Sequence, residues 1–208
     1  MKRILLLFLP LLIISLSGCK ATKRAYEKGD YETAVVNSIE RLRRAPDNKK
    51  ARQTLKLAYP TMVTHFLEQI NIAKVGGNQY KWEEIMGYYD ILNRAYNEVK
   101  TAPAALEVIP NPQNFIGDYE IARTKAAEVR YVLAGQRLDY ARDGDRLAAK
   151  EAHEHLLKVL LFRPGYKDAE ELSLEALDLA TVYVQIEHIP MHSRTLALSN
   201  EFFENQLA

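Results

Sequence analysis

Apolar residues recur at intervals of three and four along most of the chain, and clusters of Gly, Pro, Asp and Asn separate the periodic segments. This spacing is typical of amphipathic helices that each bury one face. It predicts helices over residues 21–28, 31–44, 49–75, 82–100, 116–142, 146–162 and 168–180. We expect Pro60 to interrupt the third helix, because proline lacks the N–H that an interior helical position needs.

The helix predicted over residues 82–100 carries an apolar stripe rich in tyrosine. Its members follow the spacing of a single buried face: Ile85, Tyr88, Tyr89, Leu92, Ala95, Tyr96 and Val99. Two interpretations are open for the tyrosines, a platform for stacking carbohydrate or packing between helices. A tyrosine stripe at helical spacing more often packs against other helices, and we favour that interpretation.

The segment Pro103–Phe115 contains three prolines, so we predict a connector without a long helix. The long helix that follows it has a predicted stripe at Ile121, Ala122, Lys125, Val129, Val132, Leu133, Gln136 and Tyr140. Its partner, over 146–162, has three alanines that allow close approach. The partner also has a broad predicted apolar face at Leu156, Leu157, Val159 and Leu160.

The pattern changes after residue 180. Residues 181–189 are rich in β-branched side chains and alternate from Val182 onward, which predicts a short strand that Pro190 ends. An unpaired strand edge is adhesive, so three explanations compete. The segment completes the preceding helix, adds to a partner's sheet, or begins a further domain. The ending Gln206-Leu207-Ala208 favours the third, and Ser199–Leu207 is predicted as a last short helix.

The first residues have the order of a secretory signal. Lys2 and Arg3 precede an almost wholly apolar run of 13 residues, Ile4–Leu16, and small residues follow. A helix that crosses a membrane needs about 20 apolar residues, so this run is too short to span comfortably. Cys19, the only cysteine, comes next, and therefore no internal disulfide can form.

The sequence Leu16-Ser17-Gly18-Cys19 resembles the lipobox of bacterial lipoprotein signals. The resemblance implies that Cys19 is acylated, that residues 1–18 are removed as a signal peptide, and that the new amino terminus is acylated too. Lys20 stands where an aspartate would retain some lipoproteins in the inner membrane, which points to the outer membrane. No acidic cluster follows Cys19, and this favours the periplasmic face. The alternative is an ordinary secretory signal with a chance cysteine.

Two stretches are similar to tetratricopeptide repeats, which are paired antiparallel helices of about 34 residues. In the first, Gly29 matches the turn glycine, Tyr31 the aromatic residue, Ala34 the small contact residue and Pro46 the closing proline. The second has a Gly-Asp turn at 144–145, Ala149 and Pro164. The resemblance implies an irregular tetratricopeptide-like α-α superhelix of about six to seven helices over residues 19–180. The strand-like segment 181–208 follows it.

Composition and charge narrow the function classes. The whole chain has a formal charge of +1, a near-neutral balance that argues against a dedicated nucleic-acid binder. Residues 20–56 carry 11 Lys or Arg against 5 Asp or Glu, whereas residues 57–122 carry 4 against 8. This basic stretch follows Cys19 directly. It either contacts anionic lipid headgroups or consists of solvated helix faces, and solvated faces are the commoner case.

The sequence contains few candidates for catalytic or metal-binding residues. His153 and His155 are two residues apart, on different sides of a helix, while Glu151 shares a face with His155 and gives only two ligands. His188 and His192 straddle Pro190, an arrangement that chance explains better than a metal site. We find no nucleophile elbow or phosphate-binding glycine loop in the sequence. We therefore expect no enzymatic activity, cofactor or metal.

These patterns together predict a lipoprotein of the outer membrane that faces the periplasm and serves as a scaffold or adaptor in an envelope protein complex. Its expected partners are the membrane, through the lipid on Cys19, and one or more envelope proteins, but not nucleic acid. The candidate binding surface is the inner face of the array, with Tyr26, Tyr59, Tyr88, Tyr89 and Tyr96. The alternative is a lipoprotein that binds a glycan or nutrient, which the tyrosines and Trp82 would support.

Overall fold

The structure is a computed structural model that describes residues 23–185 and Gln206. Within residues 23–185 the chain forms eight helices: α1 (residues 23–27), α2 (Tyr31–Arg44), α3 (Lys49–Val75), α4 (Lys81–Lys100), α5 (Pro103–Val108), α6 (Ile116–Arg142), α7 (Arg146–Phe162) and α8 (Ala169–Ala180). The predicted all-α class is confirmed. The helix count exceeds the prediction because the proline-rich connector contains the short helix α5.

Local capping chemistry sets several helix boundaries. Side-chain oxygens of Asp30, Asn48 and Asp145 accept hydrogen bonds from backbone N–H groups in the first turns of α2, α3 and α7. These contacts satisfy donors that have no partner inside the helix. Gly29 and Gly144 precede two of these caps with φ angles of +81° and +100°, a backbone region that favours glycine. The turns at Gly29 and Gly144 therefore lie at the positions predicted from the sequence.

The predicted interruption at Pro60 is wrong, because α3 runs without a break from Lys49 to Val75. Pro60 is exposed, while Tyr59, Met62 and Val63 beside it are buried in the core. Proline removes one hydrogen bond from the helix, at a cost of about 3 kcal/mol. Burial of the neighbouring side chains offsets this cost and keeps the segment helical on both sides of Pro60.

The helices enclose two apolar cores that meet at α4 and α6. The first core lies among α2, α3, α4 and α5, and the second among α6, α7 and α8. Trp82 and Met86 of α4 pack against both cores, and Ala122 of α6 belongs to the first. Within the described part of the chain, α4 is the only helix of the first group that contacts the second group. The α4–α6 contact therefore holds the array together.

The predicted buried stripe of α6 is mostly wrong. Ile121, Val132 and Tyr140 from that stripe are exposed, and only Ala122 is fully buried. The buried positions carry mainly small side chains: Ala122, Ala126, Ala127, Ala134, Leu138 and Ala141. The α6 helix packs against α4, α7 and α8, and small residues let these helices approach closely. Size, rather than hydrophobicity, decides which side of α6 is buried.

The predicted strand is not observed in the part of it that the structure describes. Helix α8 ends at Ala180, and residues 181–185 have no regular secondary structure. The explanation that this segment completes the last helix is therefore wrong for residues 181–185. The remainder of the predicted strand and nearly all of the predicted last helix lie outside the described residues.

Candidate interaction surfaces

Two of the five tyrosines proposed for a binding face are buried and cannot form one. Tyr59 and Tyr89 lie in the first core, whereas Tyr26, Tyr88 and Tyr96 are half-buried. This corrects the expected binding face, since a binding surface needs accessible side chains. It confirms the interpretation of the tyrosine stripe as helix packing at Tyr89.

The buried tyrosines fix the connector between α5 and α6. The Tyr59 hydroxyl accepts a hydrogen bond from the backbone N–H of Gln113 at 3.1 Å, and the Tyr89 ring packs on Phe115. Burial raises the pKa of Tyr59, although the bond from Gln113 partly opposes this effect. The buried Asn93 side chain accepts from the N–H of Phe115 at 3.0 Å. The connector is thus bound to α3 and α4 by buried groups.

A row of half-buried rings, which we call the aromatic row, joins the first four helices. It consists of Tyr26, Tyr31, His65, Phe66 and Tyr88, with neighbouring ring centroids 5.3–5.8 Å apart. Neighbouring planes are inclined by 38–69°. Two of these contacts, Tyr31–His65 and His65–Phe66, are edge-to-face, a geometry that stabilises aromatic pairs. The inclined rings do not form the flat platform that stacking on a sugar requires.

Four polar and aromatic side chains meet where the two cores join, and we call them the junction cluster: Tyr80, Glu83, Arg130 and His155. Arg130 of α6 donates to both carboxylate oxygens of Glu83, at 2.5 and 3.1 Å. Its guanidinium also contacts His155 Nδ1 at 2.9 Å and lies 3.9 Å from the centre of the Tyr80 ring. The side chains of Arg130 and Glu83 are only 15% and 23% exposed. The cluster therefore joins α4, α6 and α7 through one cation.

Sequence spacing gave no signal for the junction cluster. Glu83 lies 47 residues from Arg130, and His155 lies 25 residues beyond it. The sequence does predict that His153 and His155 diverge, and their contacts agree with this. His153 Nδ1 contacts Ser173 of α8, whereas His155 faces α6. Among the described residues, no three His, Cys, Asp or Glu side chains come together in a group suited to a metal ion.

The environment of His155 disfavours its charged form. Burial lowers the pKa of His155, and the Arg130 cation lowers it further. Glu151 and Glu154 oppose this shift, while Arg137 adds to it. Because Nδ1 faces an N–H donor, the neutral ring carries its proton on Nε2. Protonation would place a second cation against the guanidinium.

We expect the free energy of unfolding to fall as the pH drops below about 6.5, the ordinary pKa of histidine. In that range the unfolded chain binds a proton at His155 that the folded chain does not, so acid favours unfolding. The loss levels off once the pH is below the lowered pKa of the folded state. Urea unfolding of the wild type and of His155→Gln, at several pH values between about 7.5 and 5, measures the effect.

The variant His155→Gln should lose this component of the pH dependence, because glutamine keeps an acceptor for Arg130 and does not titrate. The matched control is His153→Gln, which changes a histidine on the same helix and should retain the component. Equal pH profiles for the wild type and His155→Gln would contradict the assignment.

Four exposed leucines lie on the neighbouring helices α7 and α8, and we call them the outer leucine face: Leu157, Leu161, Leu174 and Leu177. They are 50%, 67%, 64% and 46% exposed. On α8, Leu172 and Leu179 pack into the second core, and helical spacing places Leu174 and Leu177 on another side of the helix. On α7, Leu156 and Val159 fill the core, and helical spacing places Leu157 and Leu161 away from α6.

The broad apolar face predicted for α7 is only partly buried, because Leu156 and Val159 lie in the core whereas Leu157 is 50% exposed. The signal in the sequence that indicates an exposed apolar surface is the number of large apolar side chains on α7 and α8. Helix α7 has leucines four residues apart outside its buried set, and α8 has leucines three residues apart outside its own. One buried face does not require so many large apolar side chains.

The surroundings of the outer leucine face are acidic on α8. That helix carries Glu170, Glu171, Glu175 and Asp178, and it has no Lys or Arg. Glu175 binds Arg142 of α6 at 2.8 Å, and this contact lowers the pKa of Glu175. By helical spacing, Glu170 and Asp178 lie on the same side as Leu174 and Leu177. A protein segment that covers this face would have to offer apolar side chains and, along α8, basic ones, whereas on α7 the exposed Lys150 and Lys158 lie beside the leucines.

Cys19 and the signal segment lie outside the described residues, so acylation at Cys19 remains a prediction from the sequence. Comparison with protein-family models, curated proteins and solved structures gives no significant match to this chain. None of the helices in the described part of the chain combines the length and apolar character that crossing a bilayer requires.

Proposed function

We propose that this chain is a bacterial lipoprotein of the outer membrane, tethered through Cys19 on the periplasmic face, and that its helical array binds a partner protein. The sequence Leu16-Ser17-Gly18-Cys19 supports the tether. The proposal of protein binding rests on the exposed leucines of the outer leucine face. Monomeric soluble proteins rarely leave large contiguous apolar patches exposed, and such patches mark interaction sites.

The chemistry of the face specifies the partner as an amphipathic helix with apolar and basic side chains. Leu157 and Leu161 are spaced as i and i+4, and Leu174 and Leu177 as i and i+3, so each helix presents one short apolar row. A helix lying between two such rows buries its own apolar face. Glu170 and Asp178 supply the negative charge that selects Lys or Arg at the margin along α8.

The C-terminal tail of the same chain is a less suitable occupant. Its predicted helix, Ser199–Leu207, has Phe202 and Phe203 but also Glu201 and Glu204, and it carries no Lys or Arg. Its charge therefore has the same sign as that of α8, and like charges placed together weaken binding. For this reason the proposal commits to a separate protein.

Site-specific photo-cross-linking in the intact envelope tests the proposal. With a photoreactive amino acid at Leu161 or Leu174, we expect one discrete adduct with a separate protein. Adding Leu177→Glu should remove this adduct while preserving the fold, since Leu177 is 46% exposed and lies outside the buried set of α8. Controls at Glu128 and Gln136, two exposed positions of α6, should give no such adduct.

Three outcomes would overturn this docking assignment. The first is equal cross-linking from the control positions, and the second is a partner segment without basic residues. The third is cross-linking only within the chain, to residues 199–207, which would show that the tail covers the face.

A further inference from the structure

A groove beside the first described residues has the chemistry of a phosphate-binding surface. It lies between α1 and α3, with a volume of about 630 Å³, and we call it the entry groove. Its lining combines three cations, one carboxylate and apolar or neutral polar side chains: Lys23, Arg24, Lys50, Glu27, Tyr26, Leu57, Gln53 and Thr54. Positive charge therefore exceeds negative charge in the groove.

The cations of the entry groove differ in their partners. Lys23 Nζ lies 3.4 Å from the carboxylate of Glu27, in an exposed pair. Neither Arg24 nor Lys50 has a carboxylate within 4.0 Å among the described residues. Guanidinium groups bind phosphate oxygens through two parallel N–H donors, and ammonium groups bind them as point charges. Arg24 and Lys50 are thus available to a phosphate group.

The short chain distance between Cys19 and Lys23 keeps this groove near the proposed lipid. The Tyr26 hydroxyl lies 3.5 Å from Thr61 Oγ1, whereas Lys23 lines the groove together with Lys50 and Leu57. The first described residue of α1 therefore lies beside the first turns of α3. Cys19 is four residues before Lys23, so even a fully extended chain keeps it within about 14 Å of that residue.

More basic residues surround this end of the array. Helix α2 ends with Arg43 and Arg44, and α3 begins with Lys49 and Lys50 after a short turn. Arg43 binds Glu98 and Arg44 lies 3.7 Å from Glu40, so part of the charge is neutralised. Residues 57–122 and 123–208 each carry more acidic than basic residues. An anionic surface would attract the α1 end and repel the rest of the array.

We propose that the entry groove binds the headgroup of an anionic phospholipid in the membrane that holds the lipid anchor. The phosphate lies between Arg24 and Lys50, and Leu57 and Tyr26 contact the apolar part of the lipid. Leu57 is 58% exposed, so its side chain is accessible to a lipid in the groove. This inference rests on the proposed tether at Cys19, since the tether brings the groove to the bilayer. The contact orients the array relative to the membrane.

Vesicle sedimentation with the unacylated mature chain tests this inference apart from the tether. The protein used in this test begins at residue 19 and carries Cys19→Ser. Ala25 is the first described residue that packs against the first core, so this change lies outside the packing. We expect binding to vesicles with about 30% phosphatidylglycerol in phosphatidylcholine to exceed binding to pure phosphatidylcholine by at least about tenfold, and to weaken with salt.

The triple variant Lys23→Gln, Arg24→Gln and Lys50→Gln should reduce binding to the anionic vesicles by at least about tenfold. A matched control makes the same change of charge on α7, with Arg146→Gln, Lys150→Gln and Lys158→Gln. All three control side chains are exposed, and this variant should bind as well as the wild type.

Equal losses in the two triple variants would show a general charge effect and overturn the inference. Equal binding to both kinds of vesicle would also overturn it. Binding of soluble glycerol phosphate as tightly as the vesicles would assign the groove to a free phosphate compound instead. Failure of vesicle binding leaves acylation of Cys19 unaffected, and failure of acylation leaves vesicle binding unaffected, so the two proposals fail separately.

Discussion

Replacing Arg130 with methionine is expected to lower the free energy of unfolding by about 2 kcal/mol, and the melting temperature by about 4–8 °C. Arg130 is the cation that contacts Glu83, His155 and Tyr80 at once. Its loss leaves the Glu83 carboxylate, which is 23% exposed, without the guanidinium. A fully buried pair would cost more, and the partial exposure of Glu83 reduces the loss.

The double variant Glu83→Gln and Arg130→Met should recover part of this loss, because no unpaired carboxylate then remains. The matched control is Arg137→Met, which breaks an ion pair of α6 with Glu151 of α7. Those side chains are 49% and 41% exposed, so the control should cost less than about 1 kcal/mol. Equal losses from Arg130→Met and Arg137→Met, measured by urea unfolding, would contradict a stabilising role of the junction cluster.

The sequence predicted helix boundaries well where capping and turn chemistry is local. The predicted bounds of α6 and α7 agree with the structure, and α2 and α8 agree to within about one residue. Gly144 and Asp145 explain this success, since one residue ends α6 in a left-handed turn and the other caps α7. Such signals act over a few residues and are therefore visible in a single sequence.

The sequence predicted burial poorly where several helices share one partner. Helix α6 packs against three helices, so alanines on more than one side are buried, and Ile121 and Val132 remain exposed. Pro60 lies in an uninterrupted helix for a related reason, because packing of its buried neighbours outweighs a lost hydrogen bond. These outcomes depend on contacts between helices, which the local pattern does not specify.

Some features of the candidate surfaces follow from the local sequence pattern, and others depend on contacts between helices. The basic stretch of residues 20–56 was visible in the sequence, but its placement around a groove depends on the packing of α1 beside α3. The tyrosines were visible as a stripe, yet two of the five proposed for binding are core residues. The junction cluster was invisible, since three separate helical segments contribute Glu83, Arg130 and His155.

The variant Cys19→Ala is expected to lose all lipid labelling and to accumulate as uncleaved precursor. A thioether-linked lipid needs the thiol, and this is the only cysteine in the chain. The resemblance to the lipobox implies that cleavage before residue 19 requires the acylated cysteine, so the 18 residues ahead of it should remain attached. Ser17→Ala is the matched control, because it keeps a small residue in the motif and should be labelled and cleaved like the wild type.

Intact-mass analysis of the wild-type protein, extracted from the cell envelope after labelling with palmitate, tests the tether most directly. We expect a chain that begins at Cys19 and carries the added mass of acyl groups on its thiol and amino terminus. A chain that begins at residue 19 with a free thiol, or labelling that persists in Cys19→Ala, would contradict a helical array tethered to the membrane through this cysteine.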